Sequence, residues 1–184
     1  MTKQEHFISL YNESHEQFVK FCHAMVGNSE EAKDLISETT LKAFEQLDQL
    51  KKQESFTPYL IGIARRLYFN KIRRKKIFTP LLFQHAERVV DTNAQADLSI
   101  EILLLYEALA KLPIKQKEAL ILFEINGFPL NEICDIQKTK LSAVKARLRR
   151  GRQKLRVLLE DGEVAENETK SNQKKHNPLL KELI

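Results

Sequence analysis

Apolar residues recur three and four positions apart near the N terminus, which is typical of an amphipathic helix. The stripe consists of Phe7, Leu10, Tyr11, Phe18, Phe21, Cys22 and Met25. Gly27-Asn28 follows it and predicts the end of this helix, because glycine readily adopts the left-handed conformation found there. Ser29 is the expected N-cap of the next helix, and Glu30 and Glu31 suit its positive end.

A second helix is expected over residues 29–50. Its buried side would contain Ala32, Leu35, Ile36, Thr39, Ala43, Leu47 and Leu50. Asp34, Glu38 and Leu41 fall on a different face, since residues three or four apart share one side of a helix. The pattern therefore predicts an acidic and apolar surface that points away from the core.

The third helix is expected to begin near Thr57, the predicted N-cap, with Pro58 at the first helical position. The predicted inward residues are Phe56, Leu60, Ile63, Ala64 and Leu67, and the outward or sideways ones are Tyr59, Arg66, Tyr68, Phe69 and Asn70. Aromatic rings between arginines and lysines suit single-stranded nucleic acid, because bases stack on the rings while the cations contact phosphates. The alternative is that Tyr68 and Phe69 belong to the core.

The second half of the chain has a different arrangement of apolar segments. Pro113 opens a dense apolar helix that Asn126-Gly127 ends, and Phe128-Pro129 starts a short helix. A turn is expected over residues 137–140, followed by a long helix over 141–159. A short helix, a tight turn and a longer helix in this order predict a helix-turn-helix.

The long helix has the layout of a recognition helix. Its predicted buried stripe is Leu141, Val144, Leu148 and Leu155, while Ser142, Ala146, Arg149, Arg150 and Gln153 face outward between Lys145, Arg147, Arg152 and Arg156. Such a helix enters the major groove of DNA. Arginine can bond guanine through two hydrogen bonds, small residues allow close approach, and flanking cations hold phosphates. The alternative is an amphipathic helix that only faces solvent.

The charge distribution supports a polyanionic partner more than the net charge of +5 does. Seven lysines and arginines lie within residues 65–76 and nine within 138–156, and neither segment contains an acid. Acids predominate between residues 30 and 54. Two basic clusters predict two contacts with nucleic acid, whereas a pair of solvated helix faces is the alternative.

These patterns predict an all-α fold of two small helical domains joined by a linker. An N-terminal helical bundle is expected over residues 1–76 and a C-terminal helix-turn-helix domain over 99–159. Residues 77–98 lack clean periodicity and are interpreted as the linker. Residues 160–184 are expected to form a flexible tail whose first half is disordered.

Several classes of protein are not favoured by the sequence. Cys22 and Cys134 are far apart and outside any CxxC pattern, so two reduced thiols are expected rather than a disulfide or a zinc site. There is no Gly-rich phosphate loop, HExxH or GxSxG motif, so we expect no enzyme activity, no metal and no cofactor. There is also no apolar run of the roughly 18 residues that a membrane span needs and no apolar signal core. A cytoplasmic protein without membrane insertion is therefore expected.

Four short motifs occur in order along the chain. They are GNSEEAKDLISET at 27–39, FTPYLIGIAR at 56–65, AKLPIKQKEA at 110–119 and VKARLRRGR at 144–152. Each is weak alone, but the four in this order and spacing resemble the extracytoplasmic-function (ECF) class of sigma factors in the sigma-70 family. The resemblance extends over about residues 7–159.

The resemblance implies roles that the spacing of the residues does not define. Asp34, Glu38 and Leu41 would bind the clamp helices of the largest subunit of core RNA polymerase. Residues 51–74 would recognise and melt the promoter −10 element, with the 51–55 loop and the following helix capturing a base flipped out of the stack. The implied −10 contacts are Phe56, Tyr59, Arg66, Asn70, Arg73 and Arg74.

The resemblance also implies a role for the C-terminal domain. This domain would contact the flap of the second-largest polymerase subunit and read the −35 element of promoter DNA. The implied −35 contacts are Ser142, Lys145, Ala146, Arg147, Arg149 and Arg150. The linker would run toward the RNA exit path, and an anti-sigma factor would mask the polymerase-binding or DNA-binding surfaces.

Three positions depart from the pattern of the family. Tyr59 stands where Trp is usual, Arg66 stands where Asn is usual, and the turn Lys138-Thr139-Lys140 replaces Gly-Ile-Ser. Glycine escapes the steric cost of a positive φ, so Lys138 predicts modest strain or a differently built turn. Thr139 is expected to replace the missing serine cap, which would shift the start of the recognition helix by one residue.

A helix-turn-helix regulator that binds an operator independently of polymerase is the alternative function. Such a regulator would explain the last helix of the sequence. It would not explain a second basic and aromatic cluster that follows an acidic helix.

Overall fold

A computed structural model describes residues 2–50, 56–78 and 100–169, with the side chains at 75–78, 100, 101, 103 and 161–169 excepted. Every regular element in these ranges is helical, which confirms the predicted all-α class for the described residues. The chain divides into two compact units, Met1–Ala94 and Gln95–Ile184. The predicted linker lies outside the described residues except for its first two positions, which belong to the third helix.

The first unit packs three long helices against one another. They are α1 (Lys3–Val26), α2 (Ser29–Glu45) and α3 (Phe56–Phe78), and a short 3₁₀ helix at Leu47–Gln49 follows α2. Fully buried apolar side chains from α1 and α3 form the centre of the core, among them Phe18, Phe21, Met25, Leu60 and Ile61.

The ends of α1 and α2 depend on local capping. Gly27 ends α1 with a φ of 75°, as the sequence predicts, because this left-handed conformation costs glycine no Cβ clash. The N-cap of α2 is Asn28 rather than the expected Ser29, since Oδ1 of Asn28 accepts a hydrogen bond from the backbone N–H of Glu31 at 2.9 Å. The α-helix ends at Glu45, so the predicted helix over 29–50 is too long.

The start of α3 is tied to α1. Oγ1 of Thr57 donates a hydrogen bond to Oγ of Ser14 at 2.8 Å. Thr57 already lies inside the helix, which begins at Phe56, so the prediction that Thr57 is the N-cap is wrong. Its hydroxyl fixes the position of the helix against α1 instead.

The described part of the second unit, residues 100–169, contains four α-helices and one π-helical turn. These are α4 (Ile100–Ala110), α5 (Ile114–Leu120), the π-helical turn (Ile121–Ile125), α6 (Leu130–Gln137) and α7 (Leu141–Thr169). The helix α7 continues ten residues past the predicted end at residue 159, so the predicted helix is too short. Gly151 allows close packing of α7 on α5, because a Cβ there would lie 3.0 Å from Cδ1 of Leu120.

The buried stripe of α7 differs from the predicted one at its first residue. Val144, Leu148 and Leu155 are buried as expected, but Leu141 is 39% exposed. Leu141 is the first residue of α7, and the buried stripe begins three residues later at Val144. Both cysteines are free thiols, and burial raises the pKa of the Cys22 thiol.

Candidate nucleic-acid interface

The turn between α6 and α7 is built around a lysine in an unusual conformation. Lys138 has φ 48° and ψ 56°, and among the described non-glycine residues no other has a positive φ. The N–H of Thr139 donates to the carbonyl of Cys134 at 3.0 Å, which closes the end of α6. The predicted strain at Lys138 is therefore present, since a side chain in this region crowds its own backbone.

The helix α7 begins directly after Lys140. The carbonyl of Lys140 accepts hydrogen bonds from the N–H groups of Ala143 at 2.9 Å and Val144 at 3.2 Å. Lys140 thus occupies the N-cap position, and the expectation that Thr139 is the cap and shifts the helix start is wrong.

The outer face of α7 presents most of the predicted −35 contacts to solvent. Ser142, Lys145, Arg149 and Arg150 are exposed, and Ala146 between them is partly exposed. The buried Val144 and Leu148 on the opposite side orient this face away from the core. The arrangement can offer guanidinium and ammonium donors to phosphates and base edges together.

Arg147 points toward the protein instead. Its Nη1 atom donates a hydrogen bond to Oε1 of Gln137 at 2.6 Å. The Nε2 atom of Gln137 in turn donates to Oε2 of Glu118 at 2.8 Å. Gln137 and Glu118 are not predicted as functional residues from the sequence, because nothing in their spacing along the chain indicates that they meet.

Arg152 is also held by its own unit. Its side chain contacts the Glu124 carboxylate, with Nη2 at 2.6 Å and Nε at 2.8 Å from Oε1. The guanidinium carbon lies 5.3 Å from the ring centroid of Phe123. The nine cations of the second basic segment are therefore not equally available to DNA.

The outer face of α2 carries the predicted polymerase contacts. Asp34, Glu38 and Leu41 are all exposed, and Leu41 has the highest exposure of the large apolar side chains in the described residues, at 59%. The Lys42 ammonium lies 3.1 Å from a Glu38 carboxylate oxygen. An exposed leucine beside carboxylates is a suitable surface for a protein partner.

A groove of about 280 Å³ separates α2 from α3. Its α2 wall includes Asp34 and Glu38, and its α3 wall includes Asn70 and Arg74. Lys71 crosses between the walls, with its Nζ 3.3 Å from the Glu31 carboxylate. The structure thus brings residues with two different predicted roles to the edges of one groove.

The predicted −10 contacts on α3 divide by exposure. Arg66, Arg73 and Arg74 are exposed, and Tyr59 and Asn70 are partly exposed. Phe56 is only 2% exposed, so the expectation that it contacts DNA is wrong for this structure. Its ring packs edge-on against Phe7 at a centroid distance of 5.6 Å and belongs to the core.

The two remaining aromatic residues of α3 have different positions. Tyr68 is buried, so the core alternative is confirmed for it. Phe69 is partly exposed, with the Arg65 guanidinium carbon 4.9 Å from its ring centroid. Of the aromatic residues proposed for stacking, Phe69 and Tyr59 thus keep part of their surface free.

Tyr59 has an unusual environment for a surface tyrosine. Its hydroxyl is buried and has no hydrogen-bond partner in the described part of the chain. Burial raises the pKa of this hydroxyl, and the nearby charge of Arg66 opposes the shift. The ring lies 6.0 Å from that of Phe56, which supports it from the core side.

Two family models match the chain, one in each unit. Sigma-70 region 2 matches residues 10–77, and Sigma-70, region 4 matches residues 102–155. Among curated proteins, the chain is similar to the ECF RNA polymerase sigma factor SigW of Bacillus subtilis (strain 168), with 28% identity over 86% of this chain and 91% of that protein. It is also 28% identical to the ECF RNA polymerase sigma factor EcfG of Rhodopseudomonas palustris (strain TIE-1), over 76% of this chain and 77% of that one.

Solved structures share the fold. The sigma factor RpoE of Bartonella quintana, in complex with the anti-sigma factor NepR, matches with a TM-score of 0.66 and 20% identity over 85% of this chain and 96% of that one. CnrH, in complex with the cytosolic domain of CnrY, matches with a TM-score of 0.63 and 21% identity over 86% and 90% of the two chains. The chain belongs to the sigma-70 family, as a member of its ECF class. None of the helices described here is long and apolar enough to cross a membrane.

Proposed function

We propose that this chain binds core RNA polymerase and directs it to promoters through their −10 and −35 elements. The observation that carries the proposal is that one chain joins a region 2 unit to a region 4 unit, and each unit exposes a basic helix face. Two modest DNA contacts on one polymerase reinforce each other, because the second contact forms at a high effective concentration.

The polymerase contact in this proposal is the outer face of α2. Leu41 would provide buried apolar area, and Asp34 and Glu38 would pair with cations on the clamp helices of the largest subunit. The second unit would contact the flap of the second-largest subunit. The exposure of these three side chains supports the assignment.

The −10 contact in this proposal is the exposed side of α3. Tyr59 would stack on an unpaired base, and Arg66, Arg73 and Arg74 would neutralise the phosphates beside it. Asn70, at the groove edge, has an amide that can bond a base edge. Phe56 is no longer among the contacts, and its proposed part is to hold the Tyr59 ring in place.

The −35 contact in this proposal is the outer face of α7. Arg149 and Arg150 are the candidates for base contacts, and Ser142 and Ala146 leave room for the DNA backbone to approach. Lys145 would bind a phosphate. Arg147 needs a different assignment because of its contact with Gln137.

We further propose that the protein acts in the cytoplasm under the control of an anti-sigma factor. The sigma factor RpoE, which has the same fold, has been solved with the anti-sigma factor NepR, and CnrH, also of this fold, has been solved with the cytosolic domain of CnrY. The exposed Leu41 and the groove between α2 and α3 are surfaces that such a partner would cover.

The test compares DNA selection by the chain alone and by the chain with core polymerase. Randomised double-stranded fragments are incubated with each, and bound fragments are sequenced. The proposal predicts two spaced elements recovered only with core polymerase. Recovery of a palindromic operator by the chain alone would contradict it and would favour the operator-binding regulator.

A further inference from the structure

Gln137, the last residue of α6, lies between two charged side chains from other helices. Its Oε1 accepts from Nη1 of Arg147 at 2.6 Å, and its Nε2 donates to Oε2 of Glu118 at 2.8 Å. Nε2 also reaches the carbonyl oxygen of Lys115 at 3.4 Å. Gln137 is 5% exposed and Glu118 is fully buried. One chain of polar contacts therefore joins α5, α6 and α7 inside the second unit.

The chemistry of the amide fixes the direction of this chain. A glutamine side chain offers an acceptor at its oxygen and donors at its nitrogen. The oxygen accepts from the Arg147 guanidinium and the nitrogen donates to the Glu118 carboxyl group. Rotating the amide by half a turn would place its NH₂ group against the guanidinium donors and its oxygen against the carboxyl oxygen. The Arg147 guanidinium and the Glu118 carboxyl group thus hold Gln137 in one orientation.

The position of these residues connects the contact with the DNA-binding face. Gln137 directly precedes the turn at Lys138, and Arg147 lies in the second turn of α7. Hydrogen bonds to charged groups are stronger than neutral ones, especially away from water. The contact therefore restrains the angle of α7 relative to α5 and α6 close to the residues that would enter DNA.

We propose that Gln137 and Arg147 are positioning residues of the −35 reader, and that Arg147 does not bind a phosphate. This inference rests on the proposed function of α7. Gln137 holds Arg147 against the protein, and the pair sets the angle at which Arg149 and Arg150 meet the major groove. The loss of either residue reduces discrimination between −35 sequences without removing a DNA contact.

Salt dependence separates a positioning residue from a phosphate contact. Each phosphate contact releases condensed counterions and makes the slope of log K against log salt more negative by about 0.9 for B-DNA. Arg147→Met removes a positive charge from α7, and so does Lys145→Met at an exposed neighbouring position. The two variants are matched in charge, but only Lys145→Met removes a proposed phosphate contact.

The experiment uses full-length chain assembled with core polymerase. Binding to a double-stranded promoter fragment, recovered in the selection described above, is titrated at several KCl concentrations. We expect Arg147→Met to weaken binding on the order of tenfold, the size of one lost charge-assisted hydrogen bond, with the slope unchanged. It should also reduce the penalty for base changes in the −35 element. Lys145→Met should make the slope less negative by about 0.9 and keep the base preference.

A variant of Gln137 tests the coupling of the pair. Gln137→Met changes no charge, and the residue is too buried to reach DNA. We expect Gln137→Met alone to reduce discrimination between −35 sequences. Adding Arg147→Met to the Gln137→Met variant should then have a much smaller effect than in wild type, because the two residues act through one contact. If Gln137→Met does not fold, the salt slopes of the Arg147 and Lys145 variants decide the question.

Two results would contradict the account, and they differ from each other. A slope that is less negative by about 0.9 in Arg147→Met, with wild-type base preference retained, would make Arg147 a phosphate contact and overturn the positioning role. A wild-type holoenzyme with no preference for any −35 sequence would instead overturn the proposed function of α7.

Discussion

Phe56 and Tyr59 lie one helical turn apart on α3, and their rings have different surroundings. Phe56 is enclosed by aromatic side chains from α1 and from α3 itself, whereas Tyr59 keeps part of its ring exposed. Phe56 therefore supports the Tyr59 ring from the core, and Tyr59 is the candidate contact with DNA. Apolar spacing already predicts Phe56 inward and Tyr59 outward, whereas the family resemblance implies a DNA contact for both and does not separate them.

Replacing Phe56 with alanine tests this division. We expect Phe56→Ala to lower the free energy of unfolding by about 3–5 kcal/mol, because it removes a buried ring and leaves a cavity. Urea denaturation of the full chain measures the change. Tyr59→Ala is the matched control and should cost clearly less, since its ring is partly exposed. Equal losses in the two variants would argue against the assignment of Phe56 to the core.

His23 in the last turn of α1 predicts a pH dependence of stability. Burial lowers the pKa of its imidazole, and the charge of Lys33 adds to the effect. The unfolded chain therefore takes up the proton first as the pH falls through about 6.5, the ordinary value for histidine. The free energy of unfolding should decrease below that pH. The stability of wild type relative to His23→Gln should therefore decrease as the pH falls, and a difference between them that does not change with pH would refute the assignment.

At the scale of elements, the helices themselves were predictable and their ends were less so. Apolar spacing located α1, α2, α3 and the helix-turn-helix, because each must bury one face. The N-cap of α2 is Asn28 and not the predicted Ser29. Either side chain can accept a hydrogen bond from a backbone N–H of the first turn, so the sequence alone does not decide between the two neighbours. The contact between Gln137 and Arg147 was not predictable, since it depends on how three helices pack.

Lys138 gives a prediction about the turn before α7. A positive φ destabilises the folded state by about 1–2 kcal/mol when the residue has a Cβ. Glycine avoids this cost but loses more backbone entropy when the chain folds, which destabilises the folded state by about 0.5–1 kcal/mol. We expect Lys138→Gly to raise the free energy of unfolding by about 0.5–1 kcal/mol, as the difference of these effects. Thermal denaturation checks the sign.

Lys145→Gly is the control for that experiment. It removes the same charge from an exposed position within α7, where the backbone is helical. Glycine inside a helix should lower stability by about 1 kcal/mol. If both variants lose stability, the left-handed turn at Lys138 is not strained as described.

At the scale of the whole molecule, the proposed polymerase surface and the proposed −35 reader lie on separate units. Asp34→Arg combined with Glu38→Arg should weaken binding to core polymerase by at least tenfold, because it places cations where the partner is expected to supply them. Equilibrium binding to labelled core polymerase measures the effect. Glu13→Arg with Glu16→Arg, a matched charge reversal on exposed positions of α1, should change binding much less.

As a sigma factor, this chain should select where polymerase starts transcription. Core RNA polymerase is combined with the chain on a library of randomised promoters, and the 5′ ends of the transcripts are sequenced. We predict start sites at a fixed distance downstream of two spaced elements, lost when the chain is omitted. Start sites that are equally scattered with and without the chain would contradict the claim.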